Sequence, residues 1–509
     1  MTKKISIIFC LVILLGSCTK DFQKINIDPN KPSNVPIDYL LGESELMVAG
    51  SNDAGAKSWR ANIANSACII QQLASTDAGF YGGNFYTSAS NTFTAYFDGA
   101  YPNAVKSLVN VINLAKADAR NVNMLSMARI LKVMDFTKIT DLYGDVPYSE
   151  AGRAFLDNNF TPKYDAQKDI YLDMLKELDE SATALNATAY VPTKADYIYA
   201  GDVNKWKRAA YTLMLRLALR LQKVDEPTAK LWAAKAIAGG LITSNDETIA
   251  VKYDATGAQL NSNPNSWIFN PSGQNVANVN GALWSKTLID MMVSRQDPRI
   301  NIISGIKNGD TTIVKQLGLP NATDANGLSK LPVTTLDNYS RPSVPMIALA
   351  NSWVYMSYAE AKLLLAEAIE RGYVTGSGLA IDAFKDGQLN ALKQVSIYGL
   401  TPTAPRMANY AAKNPYPAAG TLDDKMKAIH TEIYLLHAAT FNHIEAWANW
   451  RRTGYPVLTN LTPTGNETNG TIPRRLKYPT SEYGVNPNIK DAISRQGADL
   501  FTTRVWWDK

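Results

Sequence analysis

Four stretches of this chain set apolar residues at the spacing of one helix face. Tyr171, Met174, Leu175, Leu178, Ala182 and Leu185 line one side, with Lys168, Lys176, Glu177 and Glu180 elsewhere around the cylinder. Asp165 stands where an N-cap for that helix belongs. Trp206, Ala210, Leu213, Leu217 and Leu221 form a second stripe, with Asp202 placed to cap it. Tyr358, Ala361, Leu365 and Ala368 form a third, and Gly372 ends it as a glycine just past the last turn does. Met426 to Arg452 reads as one long helix stopped by Gly454 and Pro456, and Met127 to Ile139 as another. Between these lie segments rich in Gly, Asn, Ser, Thr and Pro, at 75–95, 250–285, 305–345, 400–422 and 458–490. Loops of such length in a compact body are usually functional or disordered. Helix pairs recurring every ~30–40 residues suggest tetratricopeptide-like units, without a clean repeat consensus. The pattern predicts a mainly α fold in which helix pairs support a loop-rich lobe with little β structure.

One apolar run is of a different kind. Lys3 and Lys4 precede an almost unbroken apolar stretch from Ile5 to Leu15, closed by Gly16, Ser17 and Cys18. A bilayer span takes about 20 residues, so this run is too short to cross one. It has the form of a secretory signal whose cleavage point ends on a cysteine, as in a bacterial lipoprotein. Residues 1–17 are read as the signal peptide, and Cys18 as the lipidated N-terminus of the mature chain. A single acyl chain anchors only marginally, so the diacylglycerol and amide-linked chains expected there act together. Residues 18–38, with Asp28-Pro29-Asn30, Pro32 and Pro36, read as a strap or tether. Residues 39–509 read as a single domain, and no second apolar stretch is long enough to cross a membrane.

Composition narrows the function classes. A content of 46% hydrophobic and 19% charged residues is that of a globular protein. The formal charge of +5 includes Lys3 and Lys4, and the basic residues are interspersed with acids. Nucleic-acid binding, which needs basic residues gathered on one face, is not indicated. Loss of Cys10 with the signal and acylation of Cys18 leave Cys68 as the one thiol, so no intrachain disulfide forms. Its apolar, helix-like surroundings fit a buried small hydrophobe rather than a nucleophile.

Catalytic constellations are sparse. The three histidines, His430, His437 and His443, fall on one predicted helix with no His-Glu-x-x-His spacing, and read as packed or solvated helix residues. No nucleophile elbow, phosphate loop or dinucleotide fingerprint occurs, and no cofactor or metal is expected. A glycosidase needs only two carboxylates brought together by the fold, and Asp141 and Asp145 flank Leu142-Tyr143-Gly144. Their simpler reading is a helix exit with a glycine turn. Asp324-Ala325-Asn326-Gly327 resembles half a calcium loop but lacks the later bidentate glutamate.

Aromatic residues in the polar segments give more. Phe80, Tyr81, Phe85 and Tyr86 stand among Gly82, Gly83 and Asn84. Trp267, Phe269 and Trp284 lie near Asn265, Asn270, Gln274 and Asn275. Rings beside amides suit sugars, because a pyranose C–H face stacks on the ring while amides bond the hydroxyls. Stacking that buries roughly 100 Å² contributes about 2.5 kcal/mol, against an association cost of about 4–15 kcal/mol. Two or three platforms therefore give modest affinity, adequate for capture. The competing reading is that these rings pin long loops to the core.

The chain resembles the SusD/RagB family of outer-membrane nutrient-binding lipoproteins, especially its SusD-like branch, nearly end to end. The resemblance rests on the ordered series Asn26-Ile27-Asp28-Pro29-Asn30, Thr140-Asp141-Leu142-Tyr143-Gly144-Asp145-Val146-Pro147-Tyr148, Gln296-Asp297-Pro298-Arg299, Tyr358-Ala359-Glu360-Ala361, Trp450-Arg451-Arg452-Thr453-Gly454-Tyr455-Pro456 and Arg504-Val505-Trp506-Trp507-Asp508. It implies tetratricopeptide-like helix pairs under a loop-rich lobe, seated on the outer leaflet as a lid over a SusC-like TonB-dependent transporter. It implies capture of an oligosaccharide, or in some branches a peptide, and delivery to that transporter without catalysis. The matched motifs look architectural and carry over no binding residue. Two other readings stay open at this point: a surface glycoside hydrolase using an Asp/Glu pair, and a helical-repeat scaffold that binds only protein.

Overall fold

The computed structural model describes residues 35–88, 90–256, 259–271 and 281–509. Cys18, the expected signal peptide and the expected strap up to residue 34 lie outside the described residues, as do Gln274 and Asn275. Ten longer helices carry the frame: α1 (Ile37–Ala49), α2 (Lys106–Lys116), α3 (Val122–Tyr143), α4 (Gln167–Ala184), α5 (Val203–Arg220), α6 (Glu226–Gly239), α7 (Tyr358–Glu370), α8 (Ala380–Lys393), α9 (Leu422–Ala439) and α10 (His443–Thr453). Each of α1 to α6 packs on the next in sequence, α7 packs on α8 and α9, and α9 on α10. Contacts of α5 with α7 join the two groups. Among the described residues, strands are two to four residues long and pair only in twos. Among the described residues no helix is long and apolar enough to cross a membrane.

The predicted stripes face the core. Met174 and Leu178 of α4, Leu213 and Leu217 of α5, and Ala361 and Ala368 of α7 are all buried. Asp202 caps α5 by accepting the N–H groups of Asn204 and Lys205. Gly372, at φ 67°, follows α7 and donates its N–H to the Ile369 carbonyl. Asp165 does not cap α4, which starts after Ala166 without a side-chain cap. Its carboxylate instead accepts the N–H groups of Tyr148 and Ser149 and closes the hairpin between Val146–Pro147 and Tyr164–Asp165.

The single helix expected over Met426 to Arg452 is two. The break falls at Phe441, whose φ of 53° is left-handed. That conformation lays its ring on Phe269 at 5.5 Å and on Trp284 at 6.2 Å, so tertiary packing overrides local helix propensity. His430 and His437 therefore sit on α9, while His443 opens α10.

His443 is fully buried, and burial lowers its imidazole pKa to about 3. An unfolded histidine titrates near 6.5, so between about pH 6.5 and pH 3 only the unfolded chain takes up this proton. Stability should fall as pH drops through that window, by at most about 1.4 kcal/mol per pH unit for each such group. His430 is shifted in the same direction, also by burial first. Urea midpoints at pH 6.5 and pH 5 should differ less in His443→Gln than in the parent. Equal differences would refute this assignment.

A buried polar network holds the helices in register. Arg216 clamps Glu360 through two 2.8 Å hydrogen bonds, and His437 Nε2 lies 3.1 Å from the same carboxylate. Arg220 donates to Glu445 at 2.6 Å and lies 3.3 Å from Asp141. Trp507 Nε1 and the Tyr171 hydroxyl both donate to Asp141. Arg451 is sandwiched between the rings of Trp447 and Trp507 and donates to the carbonyls of Asp141 and Arg474. Burial alone would raise the Glu360 carboxyl, but Arg216 and His437 beside it hold it well below the usual carboxylate range. Low-dielectric surroundings make each such bond strong and each missing partner costly.

Candidate functional site

The site is built from three separate stretches. The first follows α1, where Gly50, Asn52, Ala54 and Gly55 all have positive φ and turn the chain sharply. Asp53 then accepts the N–H groups of Gly55, Ala56 and Lys57 and starts a π-helix over Ala56–Ala67. A π-helix this long is rare, and such helices cluster at functional positions. Lys57 points inward to Asp135 at 2.6 Å, and Trp59, two residues on, is half-buried at the surface.

The second stretch is the turn before the helical turn Gly82–Phe85. Asp77 Oδ1 accepts the N–H groups of Gly79 and Phe80, which fixes the turn that presents Phe80. A Cβ on Gly83 would stand 2.3 Å from the Asn65 carbonyl oxygen, so only glycine lets this turn lie against the π-helix. Phe80, 51% exposed, stacks on Trp59 with centroids 5.6 Å apart and planes 22° apart.

The third stretch is the short helix Pro264–Phe269, capped by Asn263 through the N–H groups of Asn265 and Ser266. Asn62 of the π-helix donates to the Asn265 side chain at 3.2 Å. Leu73–Ala74, just before the second stretch, pair with Leu283–Trp284 in a two-residue antiparallel ladder. These ties bring Trp267 into a 380 Å³ cleft with Trp59, Phe80 and Tyr81. Asn52, Asp77 and Gln259 supply polar groups to its lining, and Ile268 adds apolar surface. Burial pushes the Tyr81 hydroxyl up to about 12, so it is a neutral hydrogen-bonding group throughout the physiological range.

Of the ring positions read from sequence, Phe80, Tyr81 and Trp267 meet here. Tyr81, itself only 4% exposed, stands at the cleft wall, whereas Phe85, Tyr86 and Trp284 are buried and do not line it. They correct the expectation of an open ring surface at those positions: they pin the loops to the core. Trp284 donates to the Ile303 carbonyl and stacks on Phe441. Asn84 is likewise buried, donating to the Ser75 carbonyl and accepting from Asn321. Trp59, Asn52, Asp77 and Gln259 escaped the sequence reading. The turn-rich run Gly50 to Gly55, ending four residues before Trp59, is the signal that marks the first two.

The carboxylates considered for hydrolysis have structural partners. Asp141 belongs to the buried network, and Asp145 accepts the Gln167 N–H and pairs with Arg495 at 2.8 Å. Asp324 caps the short helix Ala325–Leu328 through the Gly327 N–H. Cys68 is buried, and burial drives its thiol far above the usual range.

The cleft presents flat apolar rings beside amide, hydroxyl and carboxylate groups, a surface suited to a ligand with alternating C–H faces and hydroxyls. Residues 29–479 match the SusD-like family described as starch-binding and associating with the outer membrane. A solved chitin-binding protein is 32% identical, with a TM-score of 0.81 over 93% of this chain and 100% of that one. A SusD homologue from Bacteroides uniformis is 26% identical, with a TM-score of 0.77 over 92% of this chain and 99% of that one. A chitin-binding SusD homologue from Flavobacterium johnsoniae, 23% identical with a TM-score of 0.76 over 93% and 98% of the two chains, shares the fold. No curated protein matches the chain. Helix pairs, a loop-built lobe and a match over most of the sequence agree, and the chain belongs to the SusD-like family.

Proposed function

We propose that this protein is a lipid-anchored, surface-exposed glycan-binding protein that captures β-linked N-acetylglucosamine oligosaccharides and passes them to a SusC-like TonB-dependent transporter. The observation that carries it is the stacked Trp59–Phe80 pair sharing one cleft with Trp267 and Tyr81. Two ring platforms with polar groups between them engage successive sugar units, and the polar groups select among hydroxyl and acetamido patterns. The choice of N-acetylglucosamine leans on the 32% identical chitin-binding relative. Capture without turnover is part of the reading, as is anchoring through Cys18 and residence of residues 39–509 as one domain.

Calorimetry of the full chain in detergent against N-acetylglucosamine and maltose-type hexasaccharides tests it. The acetylated ligand should bind with micromolar affinity, the glucose ligand more weakly, and neither should gain reducing ends overnight. Preference for the glucose hexamer would refute the ligand, and new reducing ends would refute the binding-only role. Cys18→Ala should leave glycan affinity unchanged while moving the protein out of the membrane fraction. Retention in that fraction would remove the anchor from the reading.

A further inference from the structure

A second, larger cleft of 700 Å³ lies in another part of the fold, lined by none of the residues of the first. One side is the surface segment after the hairpin strand Val146–Pro147, which carries Phe155 and Phe160, 46% and 72% exposed. Tyr101 and the buried Phe97 line its depth, and the short helix Glu482–Val485 contributes Glu482 and the exposed Val485. Large apolar side chains gathered and left in water mark an interaction site. Its volume lies in the range of ligand pockets.

The charge of this cleft is one-sided. Asp98, Glu150 and Glu482 line it against the single ammonium of Lys106. Asp98 is exposed and has no ion pair among the described residues. Glu482 accepts the Tyr164 hydroxyl through one oxygen at 2.6 Å, and its other oxygen has no hydrogen bond among the described residues. Glu150 is similarly used on one oxygen only, by Asn159 and the Lys163 N–H. Burial raises the Glu482 carboxyl above its usual range against the Tyr164 hydroxyl that lowers it, and the neighbouring Asp98 charge adds a smaller push upward. A cation placed among them relieves that repulsion.

We infer that this cleft is a second glycan site, selective for sugar units bearing a free protonated amine, such as the glucosamine units of a deacetylated chain. Phe155, Phe160 and Tyr101 meet the C–H faces, and Asp98, Glu150 and Glu482 meet the ammonium. The side-chain amide of Asn158 adds a hydrogen-bonding group. Among the described residues that line the first cleft, Asp77 is the one carboxylate. The two sites therefore divide acetylated from free-amine units, and the second stands whether or not the first binds N-acetylglucosamine.

The test is calorimetry of the full chain in detergent at pH 6 with a glucosamine hexamer and, separately, an N-acetylglucosamine hexamer. Phe160→Ala and Asp98→Asn, both at exposed positions, should weaken the glucosamine ligand at least tenfold and leave the acetylated one unchanged. Trp267→Ala should do the reverse. The inference is overturned if the glucosamine hexamer does not bind, or if its affinity follows Trp267→Ala instead. It also falls if a tetralysine peptide matches the hexamer and loses as much on Phe160→Ala, because the cleft would then read peptide charge rather than sugar.

Discussion

Trp267→Ala is expected to weaken binding of an N-acetylglucosamine hexamer by roughly 60-fold. The ring offers roughly 100 Å² to a sugar face, and its loss removes about 2.5 kcal/mol, with each 1.4 kcal/mol worth about tenfold in affinity. The residue is half-buried at the cleft wall, and its helix is held by the Asn263 cap and the Asn62–Asn265 hydrogen bond rather than by the indole. The urea midpoint should therefore change little. Trp59→Ala should cost at least as much, because Phe80 also loses its stacking partner. Phe85→Leu is the matched control: that ring is buried outside the cleft, so affinity should hold while stability declines slightly. A loss of less than threefold for Trp267→Ala would dismiss the cleft as the binding surface.

Arg220→Met should destabilise the fold by about 3–5 kcal/mol, the penalty for breaking a buried ion pair from one side. Its guanidinium is the ion-pair partner of Asp141 and also pairs with Glu445, and neither acid reaches water. Removing Arg220 leaves two carboxylates facing one another in the core, with Arg216 still 3.7 Å from Glu445. Urea unfolding at pH 7 should show a lower midpoint. Pairing the change with Glu445→Leu should recover part of the loss, since the acid left without its partner is then gone. A single variant as stable as the parent would show that the network contributes little.

The long helices were legible because burial there is one-sided and regular. Met174, Leu178, Leu213 and Leu217 keep one face to the core for whole turns, so spacing alone finds them. The break at Phe441 was not legible, because its cause lies at Phe269 and Trp284, far along the chain. Asp165 has the right chemistry for a cap, but Tyr148 and Ser149 supply the donors it serves. The ordered motifs announced the family because they are its frame: Asp141, Glu360, Arg451 and Trp507 all sit in the buried network. For the same reason they said nothing of the ligand.

The site was half legible. In Phe80-Tyr81-Gly82-Gly83-Asn84-Phe85-Tyr86 the two Phe-Tyr pairs look alike, yet Phe80 is exposed and Phe85 buried. What separates them is the Asp77 turn on one side and the approach of Gly83 to the Asn65 carbonyl on the other. Neither is a composition signal. Trp59 was hidden by its helix-like neighbours, whose π-helical winding follows from the Asp53 turn before it.

Trp284 belongs at once to the ladder with Leu73–Ala74 and to the ring stack that includes Phe441. The turn between α9 and α10 and the loop leading to the cleft are therefore keyed to one indole. Sliding the ladder by even one residue would turn that indole to the opposite face and unseat it from Phe441 and from the Ile303 carbonyl. Loop and scaffold are soldered at this point, so evolution can lengthen the segments that flank the ladder but cannot shift its register.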